Sequence, residues 1–499
     1  MHQAFPGFRK GFCMVILPLV GNFGNRGILV PVRCGKIVIL RQIKFRTPSN
    51  IKVVFLFLFE NYPMKINLPE LDKKRVVVIG GGFAGISLVK KLAGKSYQVV
   101  LIDRNNYHQF QPLFYQVAMA GLEPSSIVFP LRKLFRKKEN TFIRMTEVER
   151  IDPEKRKLHT ALGIVNYDYL VLATGAETNF FGNAQIAEKA IPMKSVSEAL
   201  YLRNHILADY EKSLSIEDYD DRQRYLDIVV VGGGPTGVEV AGSLAEMKKY
   251  ILPKDYPELK IEELDIYLIQ GNNALLNGMS EQASAKALEF LTNLGVKILL
   301  EKRVVAYDGK QVTLNDGTTI TAKKVIWAAG ITGKAPAGLA QECMGSGGRV
   351  LVDRHSKVKG YEDIFAIGDI ALMTEEAYPN GHPQLAQVAM QQGKNLAENL
   401  IRMESGKALK PFTYRDLGSM ATIGRNRAVV DLPNIKFQGA FAWFVWLFVH
   451  LFSLLGVKNK VFVFLNWLWG YFTYDQSLRL IIRPKLHKVD IASENVPSP

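Results

Sequence analysis

Residues 75–103 read RVVVIGGGFAGISLVKKLAGKSYQVVLID, and the order of parts in this stretch decides the fold. A β-branched run, Val76 to Ile79, ends in Gly80-x-Gly82-x-x-Gly85. A helical pattern follows, and a second strand, Val99 to Ile102, ends at Asp103. Gly80 permits the tight turn, Gly82 lets the backbone approach a pyrophosphate, and Gly85 allows close helix–strand packing. The helix start offers unpaired N–H groups and a positive dipole end. Asp103, about twenty residues beyond the glycines, can accept from ribose hydroxyls.

The unit recurs. Residues 227–244 read DIVVVGGGPTGVEVAGSL, with Gly232, Gly234 and Gly237 on the same grid. The predicted fold is α/β, with two Rossmann-like, doubly wound dinucleotide-binding domains. Two such units imply two dinucleotides and redox exchange between them: FAD, held non-covalently, in the first and a nicotinamide cofactor in the second. The second copy's next strand, Asp265 to Ile269, ends in Gln270 rather than an acid. A carboxylate there would grip a 2′-hydroxyl and repel a 2′-phosphate, whereas a neutral Gln removes the repulsion. No Arg follows in GNNALL (271–276) to attract a phosphate. NADH use with weakened discrimination against NADPH is expected; a Gln that merely ends a strand is the plainer alternative.

The 499 residues suffice for two or three domains, and 48% hydrophobic with 22% charged residues is an ordinary globular composition. The formal net charge is +16, but nine Lys/Arg against Glu60 alone place half of that excess in residues 1–63, which weakens a nucleic-acid reading. Cys13 and Cys34 lie in that leader, leaving Cys343 for the body. No CxxC pair or cysteine-based zinc site can be built, and no metal cluster is expected. The leader's apolar run CMVILPLVGNFG is too short to span a bilayer. At Met64 the text changes to MKINLPELDKKRVVVIGGG, like an ordinary protein start. Residues 1–63 are read as an upstream extension, with an Arg-rich organelle-targeting segment as the alternative.

Three further stretches, YDYLVLATG (167–175), VIWAAG (325–330) and IFAIGDIA (364–371), resemble the linking motifs of the two-dinucleotide flavoprotein superfamily. The resemblance implies an inserted topology: a flavin domain of residues 64–195 and 331–415, with a nicotinamide domain, 196–330, between its halves. By position, Gly80, Gly82, Phe83, Ala84, Gly85, Asp103, Arg104, Thr174, Gly175, Gly368 and Asp369 fall to FAD. Gly232, Gly234, Pro235, Thr236, Gly237, Gln270, Ala329 and Gly330 fall to the nicotinamide cofactor. Asp369 can accept from a ribityl hydroxyl while Gly368 admits the cofactor; a plain helix N-cap is the alternative role.

The missing cysteine pair argues against disulfide reductases and sulfide:quinone oxidoreductases, and Cys343 reads as an incidental loop thiol. Together, NNYHQFQPLFYQVA (105–118), GGGPTGVEVAG (232–242), AQVAMQQGK (386–394) and the C-terminal tail look like type II NADH dehydrogenases, the single-chain, non-pumping NADH:quinone oxidoreductases. The resemblance covers about residues 65–483. It implies hydride transfer from NADH to FAD, then two electrons to ubiquinone or menaquinone. It assigns Gln387 and Gln391, four apart on one helix face, to the quinone head group; the alternative is a face hydrogen-bonded to neighbouring loops. Glu239, placed in the first helical turn near anionic groups, should have a raised pKa and becomes a candidate proton carrier; a structural cap is its alternative. His108 is read as packing near the adenosine half of the flavin. A homodimer is left open.

Residues 440–457 read AFAWFVWLFVHLFSLLGV without a charge, followed by VFVFLNWLWGYFTY (461–474) and RLIIRPK. Trp443, Trp446, Trp467, Trp469, Tyr471 and Tyr474 run through both segments, which suits helices lying in a membrane surface better than a transmembrane hairpin or a buried core helix. Residues 416–485 are therefore a membrane-association region and 486–499 a tail. The expected location is peripheral, on the cytoplasmic face of a bacterial inner membrane, or on the mitochondrial inner membrane if the leader is a targeting segment. Two alternatives carry the glycine motifs without a membrane quinone: a non-catalytic protein resembling apoptosis-inducing factor, and a soluble reductase of a ferredoxin-type carrier.

Overall fold

A computed structural model of the chain describes residues 66–474 and 478–482, together with the backbone of two leader strands. Met1–Pro63 form one compact unit and Met64–Pro499 another. Within the first, Phe12–Pro18 and Gly27–Arg33 pair antiparallel. The readings of the rest of the leader and of the tail 486–499 lie outside the described residues.

In the larger unit both glycine motifs sit at the centre of a parallel sheet. Arg75–Ile79 is flanked by Gln98–Asp103 and Thr141–Met145 on one side, and by Tyr169–Leu172 and Ile364–Ala366 on the other. Val76, Val77 and Val78 are wholly buried, and each such side chain contributes roughly 1.5 kcal/mol or more by leaving water. The second sheet repeats the plan: Ile228–Val231 lies between Ile266–Gln270 and Lys324–Trp327, with Lys297–Leu300 and Ile191–Pro192 at the edges. The chain thus enters the second sheet at Ile191, a few residues before the boundary read at 196. That two-residue edge strand is too short for a periodic signal.

Three helices bring the halves into register with the site. The first motif opens the helix Phe83–Leu92, and the second opens Pro235–Tyr250. The helix Ala386–Glu404 crosses the first at Gly393, where an added Cβ would lie 2.4 Å from the Ala84 carbonyl oxygen. Beyond it, Ser419–Gly424, Arg427–Asp431 and Lys436–Gln438 form an antiparallel sheet. This sheet presses on the second motif helix at Gly242, where a Cβ would meet the Ile423 oxygen at 1.9 Å.

The chain closes with the helices Ala440–Ser453 and Val457–Thr473. Among the described residues no helix is long and apolar enough to cross a membrane. The residues of the first divide by face: Ala442 and Trp446 are fully buried in the main core, while Phe441, Phe444, Phe448 and Phe452 are exposed.

Candidate active site

The two glycine loops have one geometry. Gly80 and Gly232 take φ of +105° and +110°, a region that favours glycine. A Cβ on Gly85 would stand 1.9 Å from the Gly80 oxygen, and one on Gly237 would stand 1.8 Å from the Gly232 oxygen. The entrance is open at three glycines: among the described residues nothing lies within 4 Å of a Cβ added at Gly82, Gly175 or Gly234. Neither motif helix carries a side-chain cap or an acid in its first turn, so its leading N–H groups face the opening. Such a pair of uncapped helix starts fits two pyrophosphates.

Strand-end residues hold each loop. Asp103 accepts from the Gly81 N–H at 2.6 Å and the Asn105 N–H at 2.7 Å. Burial raises its pKa, and those two N–H groups oppose the rise. Gln270 does the same work without charge: its Oε1 accepts from the Gly233 N–H at 2.9 Å, and its Nε2 donates to Ala274 O at 3.3 Å. Exposed Arg104 follows Asp103, and exposed Pro235 and Thr236 form the first turn of the second helix. Thr174 N lies 3.2 Å from a Cβ added at Gly80, with Gly175 next in the chain, and Ala329 and Gly330 lie beyond the strand that supports Gly232. Phe83 meets His108 edge-on at 5.1 Å. His108 Nδ1 lies 3.0 Å from Gly81 O, and burial lowers its pKa.

Asp369 provides the sharpest test of flavin fit. Its carboxylate is partly buried and has no hydrogen-bond donor among the described residues; burial raises its pKa, while the charges of Lys194 and Arg349 lower it. A partly buried carboxylate with no donor from the described residues fits a ribityl hydroxyl. Gly368, at φ +76°, donates its N–H to the buried Gln392 Oε1 at 2.7 Å. Lys194 and Gln392 were not singled out from the sequence. Gln392 stands one residue beyond Gln391, which turns it about 100° to the other helix face.

Gln387 and Gln391 are occupied by the chain itself. Gln387 donates to Gly418 O and accepts from Leu417 N–H, each at 3.0 Å. Gln391 donates to Arg415 O at 2.9 Å and accepts from Arg415 N–H at 3.0 Å. The two amides thus hold residues 415–418 against the helix like an added strand. Each Gln→Leu change removes two hydrogen bonds and should cost about 1–3 kcal/mol, read as a lower Tm. If the same face also docks the quinone, rapid mixing should show quinone reduction slowed far more than flavin reduction by NADH. An equal fall in both steps would leave the glutamines with a purely structural part.

Glu239 opens the second turn of its helix rather than lying in the first, because the helix begins at Pro235. It is buried and accepts from the Thr422 N–H of the C-terminal sheet. Its pKa is raised well above the ordinary carboxylate range by burial, not by anionic neighbours. Buried Tyr115 lies beside it, and the Glu239 charge adds to the rise that burial imposes on the phenol. Gln116 donates to Tyr115 Oη at 2.8 Å and accepts from Trp467 Nε1–H at 2.7 Å. Tyr115 also packs edge-on against Trp446, with ring centres 6.2 Å apart. Cys343, donating to Ala340 O at 2.9 Å, is buried in the core beneath the first parallel sheet.

The pyridine nucleotide-disulphide oxidoreductase family model matches residues 74–393, the class that twin glycine loops of this geometry define. A second model, the NDH2 C-terminal domain, matches residues 417–473. The type II NADH:quinone oxidoreductase NdhA of Mycobacterium tuberculosis is 34% identical over 413 residues, covering 79% of this chain and 86% of that protein. The internal alternative NAD(P)H-ubiquinone oxidoreductase A1 of Arabidopsis thaliana mitochondria is 30% identical, covering 80% and 84%. The structure of NDH2 from Plasmodium falciparum in complex with NADH shares the fold, with TM-score 0.75 at 22% identity over 82% of this chain and 100% of that one. The chain belongs to the type II NADH:quinone oxidoreductase family, and is an FAD-dependent NADH:quinone oxidoreductase.

Proposed function

We propose that this chain works at a membrane surface, passing reducing equivalents from NADH to a lipid-dissolved quinone without moving protons across the bilayer. When bound, FAD supplies hydride acceptance from the nicotinamide and two-electron donation to the quinone. The first glycine loop and Asp369 hold it non-covalently, and the second loop holds the nicotinamide cofactor. Gln387, Gln391 and the segment 415–418 form the wall on which the quinone head group docks. Each glutamine carbonyl keeps a second lone pair, so a quinol hydroxyl can be accepted without releasing the segment. Glu239, whose burial favours the protonated carboxyl, delivers a proton to the quinone oxygen.

One observation carries the membrane part of this reading. Phe441, Phe444, Phe448 and Phe452 are 52–69% exposed along one helix face, while Trp446 on the opposite face packs on Tyr115 beside Glu239. The second helix adds Phe462, Leu465, Trp469 and Phe472 to the exposed apolar surface. An exposed patch of this kind marks an interaction surface, and aromatic side chains suit the headgroup boundary. Replacing Phe441, Phe444 and Phe448 together by Ser should weaken sedimentation with lipid vesicles by at least about tenfold. Turnover with a water-soluble short-chain quinone should stay near the parent value. Unchanged vesicle binding would remove the membrane role of this face. The membrane's identity and any dimer are not needed for this arrangement; the cytoplasmic face of a bacterial inner membrane is the proposed setting.

A further inference from the structure

Gln270 ends its strand, and the next residue, Gly271, has a side chain lying over it from another part of the chain. A Cβ added at Gly271 would stand 3.3 Å from Arg303 Cγ and 3.4 Å from Arg303 Nε. We propose that Arg303 reads the 2′-phosphate of NADPH beside Gln270, so that this chain uses NADPH as well as NADH. The proposal deepens the nicotinamide reading of the second glycine loop and rests on it.

The backbone around Arg303 is fixed to the strand end it would serve. Glu301 N–H donates to Asn272 O at 3.0 Å, and Lys302 N–H donates to Gln270 O at 3.1 Å. Arg303 N–H donates to Asn315 Oδ1 at 2.8 Å, and Asn315 N–H returns to Arg303 O at 2.9 Å. The guanidinium itself has no acidic partner among the described residues, whereas its neighbour Lys302 is paired with Asp316 at 2.6 Å. Glu301, two residues away, is the nearby acid in sequence and is exposed.

Each element of a phosphate reader is therefore present. The Gln270 Oε1 is engaged with the Gly233 N–H, which orients the loop as Asp103 does in the first unit, but it brings no negative charge. A dianionic 2′-phosphate meets no repulsion there, and a planar guanidinium can donate two parallel N–H groups to it. NADH, which has a hydroxyl in place of that phosphate, gains nothing from the contact.

The test is kcat/KM for NADH and NADPH on the FAD-loaded full chain. Arg303→Ala should lower the NADPH value by about tenfold or more while leaving NADH within about twofold. Arg303→Lys should restore part of the loss, since a point charge remains without the fork. The NADPH value alone should fall as salt rises. As a direct probe, 2′,5′-ADP should inhibit more strongly than 5′-AMP, and Arg303→Ala should erase that difference. An unchanged NADPH:NADH ratio in Arg303→Ala, equal losses with both cofactors, or a parent enzyme that rejects NADPH would overturn the proposal. A parent enzyme inactive with NADH would instead overturn the underlying nicotinamide reading.

Discussion

Gly237→Ala is expected to give a protein that remains yellow yet loses NADH-dependent kcat/KM by at least about a hundredfold. The new methyl would lie 1.8 Å from the Gly232 carbonyl oxygen, a backbone atom that cannot swing aside. Relieving the clash must lift the start of helix Pro235–Tyr250 off its strand, turning its N–H groups away from the pyrophosphate. Overpacking of this kind costs about 1–3 kcal/mol or more, but it falls in the second sheet. The first loop, built on a separate sheet, keeps its geometry, so flavin absorbance serves as the internal control. Gly234→Ala separates fold from cradle: nothing lies within 4 Å of its Cβ, so Tm should hold while the methyl crowds the nucleotide. Parent-like NADH kinetics in Gly237→Ala would show that the second loop does not hold the cofactor.

Glu239→Gln should slow quinone reduction by about a hundredfold and leave flavin reduction by NADH nearly unchanged. The amide keeps an oxygen for the Thr422 N–H but has no proton to give. The pH behaviour distinguishes this from a packing defect. Burial raises the folded-state pKa of Glu239, so the folded protein retains a proton that the unfolded chain releases. The stability linked to that proton is full below the ordinary carboxylate pKa and is lost as pH rises through the folded value. The parent should therefore lose Tm, and slow in its quinone step, as pH rises. Glu239→Gln should lack both trends, and its Tm relative to the parent should climb with pH. Parallel pH profiles for the two proteins would deny Glu239 the proton role.

Local spacing made the two nucleotide units legible, because Gly-x-Gly-x-x-Gly, its preceding β-branched run and the strand-end residue lie within thirty residues of one another in the first unit and within forty-five in the second. Gln270 was equally legible for the same reason. Contacts made across the fold were not. Arg303 reaches Gly271 over thirty-two positions, and the stretch 271–276 that follows Gln270 holds no Arg. The partners of Gln387 and Gln391 are backbone atoms of 415–418, whose side chains carry no sign of that pairing. Likewise, the tail's composition marks an apolar surface but not which tryptophan faces inward; Trp446 is core because Tyr115 and His450 receive it. Glu239's burial comes from the C-terminal sheet, whose approach at Gly242 has no local mark other than the glycine itself.

The proposed passage of reducing equivalents from NADH through bound flavin to a quinone resident in lipid is the step on which every other role depends. It is tested most directly by mixing the yellow protein anaerobically with NADH and following flavin absorbance while vesicles are added. The expected record is rapid bleaching by NADH, no recovery with plain vesicles, and prompt recovery with vesicles containing quinone. Bleaching that persists in the presence of quinone-loaded vesicles, or no bleaching by NADH at all, would contradict it.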